Sequence, residues 1–163
     1  MKKTRYKIAG GYAVEIDVDM ENADNLHSNK SDLLYPDFEK QYAEIRKLTP
    51  TLGERLKEIQ AKIDIKNKEA IHKTGLSDAM VGRLRNDSNA RHDMLTMVKL
   101  CAGLDLPPQI ARELCALAGV ALNASNKLNF AYQIIIEQMH GRTAEEKERF
   151  LEQNGFPRLD IQD

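Results

Sequence analysis

At 163 residues, 42% of them hydrophobic, the chain is long enough for one sizeable core and an appendage. No apolar run approaches the roughly 18 residues needed to cross a bilayer, and no signal peptide follows the basic start, so a cytoplasmic protein with no membrane partner is expected. Net charge is −1, a weak footprint for a polyanionic partner, but residues 49–105 carry ten Lys/Arg against eight Asp/Glu while residues 106–163 carry six against eight, which places the local positive excess mid-chain.

TRYKIA and AVEIDV flank Gly10-Gly11-Tyr12 with apolar and charged residues alternating on both sides, the pattern of a half-buried β-hairpin. A three-residue loop pairs Ala9 with Ala13 and sets Lys7 opposite Glu15, Arg5 opposite Asp17, Ile8 opposite Val14 and Tyr6 opposite Ile16, so every pair is complementary. Two strands alone are marginal in water. The apolar face of Tyr6, Ile8, Val14 and Ile16 therefore needs cover from the rest of the chain, a second protomer or a protein partner. Residues 20–36 are polar and without period, as in a linker. Pro36-Asp37 then signals a short helix carrying Phe38, Tyr42, Ile45 and Leu48. Residues 1–48 form a first region, and a protein partner would bind there.

TLGERLKEIQAKI (51–63) reads as a helix with a capping box, Thr51 to Glu54, and an apolar stripe of Leu52, Leu56, Ile59 and Ile63. A shorter helix follows, with Ala70 and Ile71 on its inner face. Gly75 can stop it in the left-handed conformation without a Cβ penalty, and Leu76 returns to the core. Ser77 is a good N-cap for the next helix, in which Met80, Val81 and Leu84 bury one stripe, expected against Leu56, Ile59 and Ile71. Asp78, Ala79, Gly82, Arg83, Arg85 and Asn86 are left for the opposite stripe. Two short helices around a glycine turn make a helix-turn-helix layout, and its second helix would face a major groove of double-stranded DNA.

MLTMVKLCAGL (94–104) and PPQIARELCALAG (107–119) supply two further helices. The five-helix order, with the turn between the second and third, resembles the lambda-repressor-like (XRE-type) helix-turn-helix family over roughly residues 51–122. A further similarity, to a C-terminal extension found in some bacterial and phage-encoded members, runs from LDLPPQIARELCALAG to KERFLEQNGFPRL. The resemblance implies a phosphate contact for Asn67, where relatives often carry glutamine, and base-facing positions at Ser77, Asp78, Ala79, Gly82 and Arg83. Ala79 and Gly82 have no polar group with which to read a base, Asp78 suits only a cytosine amino group, and Arg83 is the strong base reader. Arg85, Asn86, Asn89, Arg91 and His92 cluster at and after the helix end, where phosphates would lie. The glycine that commonly closes the recognition helix in relatives is Asp87 here, a departure that bears on the following loop.

NKLNFAYQIIIEQMH (126–140) has one apolar face of Leu128, Tyr132, Ile135 and Met139 and a second of Phe130 and Ile134, as in a helix buried on two sides. One side can rest on the preceding helices and the other on a dimer mate, with Phe130, Ile134 or Ile135 at the interface. Burial of both sides within one monomer, under helix 144–154, is the other reading. Thr143 and Glu146 form a capping box for that last helix, and Gly155 ends it.

Cys101 and Cys115 sit among apolar helical neighbours and read as reduced, buried packing. No zinc spacing, P-loop, GxGxxG or GxSxG occurs, so neither an enzyme nor a cofactor is expected. The fold expected is mainly α: an N-terminal hairpin, linker and short helix (1–48), a five-helix DNA-binding domain (49–122) and a helical extension (123–163) suited to dimerisation. The function expected is a sequence-specific transcriptional regulator, a dimeric repressor binding DNA. The alternative is a protein-binding module, an antitoxin or mobile-element inhibitor of a host system, with an autoregulatory helix-turn-helix. Asp78, Ala79 and Gly82 favour that alternative, and the cluster from Arg83 to His92 favours DNA.

Overall fold

A computed structural model of the chain describes residues 38–86 and 91–163, and the backbone of residues 2–7 and 13–18. The expected turn at Gly10-Gly11, the linker 20–36 and residues Asp87 and Asn89 lie outside the described residues. The fold is mainly helical, in two compact units, Met1–Thr49 and Pro50–Asp163. Among the described residues no helix is long and apolar enough to cross a membrane.

In the first unit, strands β1 (Lys2–Lys7) and β2 (Ala13–Val18) pair antiparallel. Their register differs from the expected one by two residues: Lys7 stands opposite Ala13, Tyr6 opposite Val14, Arg5 opposite Glu15 and Lys3 opposite Asp17. Pleating repeats every two residues, so a shift of two keeps the alternation in phase and still sets unlike charges at opposed positions. Charge pattern alone could not separate these two registers. Helix α1 (Phe38–Leu48) follows, with Phe38 stacked on Tyr42 at a ring separation of 5.9 Å and no residue of the helix buried.

The second unit holds α2 (Leu52–Lys62), α3 (Asn67–Thr74), α4 (Asp78–Asn86), α5 (Met94–Gly103), α6 (Pro108–Leu117), α7 (Lys127–Gln138) and α8 (Ala144–Gln153). Both expected capping boxes form: Thr51 accepts from the Glu54 amide and Thr143 from the Glu146 amide, each glutamate reaching back to the cap N–H. Asp93 caps α5 through the Thr96 N–H. Ile63, expected on the buried stripe of α2, is its C-cap and 40% exposed, because the helix ends one residue before it. One hydrophobic cluster runs through the unit, from Leu52, Leu56 and Ile59 on α2 to Tyr132, Ile135 and Ile136 on α7, Leu151 on α8 and Leu159 and Ile161 beyond it. Residues 123–163, read from the sequence as a separate extension, thus share the core of residues 50–122. Cys101 and Cys115 lie in it as free thiols; the adjoining Cys115 thiol, together with burial, pushes Cys101 well above the usual thiol range and keeps it protonated.

Two contacts set how the helices meet. A Cβ on Gly53 would lie 2.2 Å from the Arg85 carbonyl oxygen, so only glycine lets the start of α2 approach the end of α4 this closely. Arg55 on α2 pairs with Glu113 on α6 at 3.0 Å and with Glu58 one turn on at 2.7 Å, which joins the outer helices.

Candidate nucleic-acid interface

The elbow between α3 and α4 is built by Gly75, whose φ of 62° ends α3 in the left-handed region while its N–H returns to the Ile71 carbonyl. Thr74, fully buried, donates to the Ala70 carbonyl and accepts from the Leu76 N–H, so the turn's polar groups are satisfied as Leu76 enters the core. Ser77 Oγ accepts from the Met80 N–H at 3.2 Å, the expected N-cap contact. Val81 and Leu84 are 2% and 0% exposed and share one buried cluster with Leu56 and Ile59, with Met80 and Ile71 partly buried against it. With that stripe pinned, Ser77, Asp78, Ala79, Arg83 and Asn86 stand exposed on the other side of α4. Gly82 is half-buried on the same face, and a Cβ added there would meet nothing within 4 Å.

The remaining candidates divide. Arg85 does not join that face; it lines a shallow cleft of about 410 Å³ with Lys57, Gln60, Asp64, Lys66 and Asn67, where α2 meets the start of α3. Asn67 Oδ1 accepts from Gln60 Nε2 at 3.3 Å, which leaves its NH₂ to donate. Lys66, the residue before α3, makes no side-chain cap, so the first amides of α3 have no side-chain acceptor there. Arg91 is exposed ahead of α5 and His92 is buried. Lys57, Lys66 and Gln60 are partners of this surface that sequence reasoning did not single out. Lys57 lies on the polar side of α2, Gln60 is buried beside Ile59 and Lys66 precedes α3, so the three come together only once α3 is seen to start beside α2.

Charge in the cleft and on the α4 face is predominantly positive, with Lys57, Lys66, Arg83 and Arg85 against Asp64 and Asp78. Chemically, the arrangement offers amide and guanidinium donors around a helix start and one exposed helix face of short side chains plus a single arginine, groups able to donate hydrogen bonds to an anion.

The expected interface residues in α7 also divide. Phe130 is 50% exposed, and Ile134 lines a groove with Met139 and Phe150. Ile135, by contrast, is 1% exposed within the monomer core, which removes it from any interface. The helical period explains this: Ile135 lies on the Leu128–Tyr132 stripe, which packs inward with Ala131 and Ile136, and only the Phe130–Ile134 side looks outward.

Comparison with protein-family models, with curated proteins and with solved structures gave no match.

Proposed function

We infer that this chain is a sequence-specific DNA-binding regulator of transcription, acting as a dimeric repressor. In this reading α2 to α6 form a five-helix lambda-repressor-like domain, α7 and α8 its helical extension, and the strand pair a small N-terminal hairpin. The observation that carries it is the pinning of α4: Val81 and Leu84 are buried while Ser77, Asp78, Ala79 and Arg83 remain open on one face, beside a cationic cleft at the start of α3. Gly82 supports the same reading. Glycine inside a helix costs about 1 kcal/mol relative to alanine, and nothing inside the fold needs it here, so a close approach from outside gives it a purpose.

Arg83 reads a guanine through O6 and N7, Asn67 and Arg85 contact one phosphate neighbourhood, Arg91 neutralises another, and Asn86 and Asn89 donate hydrogen bonds to phosphate oxygens. Two-fold pairing through Phe130 and Ile134 doubles these contacts on a palindromic site. A gel-shift against fragments from the protein's own locus tests the reading. One fragment should be retained in the presence of excess unrelated DNA; uniform, weak retention of all fragments would count against sequence reading.

One observation favours a second reading. Phe38, Tyr42, Ile45 and Leu48 are 71%, 56%, 60% and 82% exposed, an apolar stripe at helical spacing that invites a protein partner onto α1. Under that reading, replacing Tyr42 and Ile45 by aspartate abolishes function in the cell while DNA retention is unchanged.

A further inference from the structure

We propose that residues 156–163 are a strap that fixes the α3–Gly75–α4 elbow, with Glu148 of α8 as its positioning residue. Glu148 is fully buried, and its two carboxylate oxygens accept from the Leu159 N–H at 2.7 Å and the Ile161 N–H at 2.9 Å. A buried carboxylate stripped of such donors is costly, so the strap and Glu148 depend on each other. The side chains of Leu159 and Ile161 are in the core at 1% and 4% exposure. Between them Asp160 takes a φ of 60°, uncommon for a residue with a side chain, and its carbonyl oxygen sits against the elbow. A Cβ on Gly75 would lie 2.4 Å from that oxygen. Two residues on, the Gln162 N–H donates to the Lys73 carbonyl at 2.9 Å, taking up one of the acceptors that the end of α3 leaves open. Asp163 Oδ1 closes the strap by accepting from the Ala144 N–H at the start of α8.

The strap therefore bridges α8 to the one turn that aims α4. Gly75 is required twice, for its left-handed backbone and for the space the strap occupies. Loss of the strap would free the elbow far more than it loosens α7, which shares the core with Leu159 and Ile161 but also packs directly on α5 and α6.

Amide hydrogen exchange measures this without any DNA, comparing the parent with a chain ending after Gly155 and with Glu148→Gln, whose amide can accept only one of the two bonds. In both variants exchange within residues 67–86 should accelerate about tenfold or more, while residues 127–138 stay within about threefold of the parent. Equal acceleration across residues 50–155, or none in 67–86, overturns the proposal. If the shortened chain does not fold, Glu148→Gln alone decides it by the same two criteria. A second arm rests on the DNA reading: Glu148→Gln, titrated at full active fraction, should bind the preferred fragment about tenfold more weakly with the salt slope unchanged, because no phosphate contact is lost. A parent that binds no DNA ends the DNA reading and leaves the strap to the exchange result.

Discussion

Gly82 stands mid-helix in α4 with open space where a side chain would go, and the two residues that follow it, Arg83 and Leu84, have opposite fates, one exposed and one fully buried. Gly82→Ala should raise stability by about 0.5–1 kcal/mol through helix propensity, with no clash to offset it. If α4 lies in a groove, the same methyl should weaken DNA binding; thermal melts beside a DNA titration check both halves, and a variant that is more stable with unaltered binding would show that nothing approaches this position. Leu84→Ala should instead cost about 2–5 kcal/mol, since the side chain is fully buried. Leu84 was legible in the sequence because a 3.6-residue period leaves it no other face. The contact of Gly53 with the Arg85 carbonyl was not, since a glycine in a first helical turn says nothing of which backbone comes to meet it. The destination of Arg85 was likewise hidden: its position at the edge of the exposed stripe is compatible with either side, and only the start of α3 draws it into the cleft with Asn67.

Helix α8 is joined to the turn that follows α5 by an ion pair that residue pattern concealed. Lys147 sits within the charged run EEKER, which reads as a solvated face, yet it is 2% exposed and donates to the Ala102 carbonyl at 3.1 Å and to Asp105 at 2.6 Å. Asp105 also accepts from the Gly141 N–H and lies 3.6 Å from His140. Partial burial pushes the Asp105 carboxyl up, but Lys147 and the Gly141 amide outweigh it and hold the group below the usual aspartate range. A depressed folded value means that this contribution to stability is complete above the unfolded aspartate range and is lost as pH falls through the folded value. Asp105→Asn should therefore flatten the acid side of the stability profile below about pH 4 in denaturant titrations. Lys147→Met should be milder than Asp105→Asn, because removing the buried charge is less costly than leaving it without its partner. The reverse order in melting temperature would contradict the pairing. Capping boxes were legible at this scale because each needs only four consecutive residues; the strand register was not, because two registers in the same pleat phase both oppose unlike charges.

At the scale of the molecule, the first unit carries an apolar stripe on α1 that is exposed among the described residues, and the second carries an outward α7 face of Phe130 and Ile134. The helical class and order were readable from period and caps, while the sharing of one core by residues 50–122 and 123–163 was not, since it is made by side chains far apart in the chain. Light scattering at tens of micromolar should find a dimer, and Phe130→Asp with Ile134→Asp should return a folded monomer. A parent already monomeric at that concentration would remove the α7 interface from the account.

DNA recognition by α4 is tested most directly by comparing Arg83→Ala and Arg91→Ala in titrations of the preferred and unrelated fragments across a salt series. Arg83→Ala is expected to cost about 1–3 kcal/mol per half-site on the preferred fragment and to narrow its advantage over unrelated DNA. Arg91→Ala is expected to weaken both fragments alike and to reduce the salt slope. Both side chains are exposed, so melting temperature should hardly move and any loss belongs to binding. If both variants bind every fragment as the parent does, α4 does not read DNA, and the α3–Gly75–α4 elbow serves only as a scaffold.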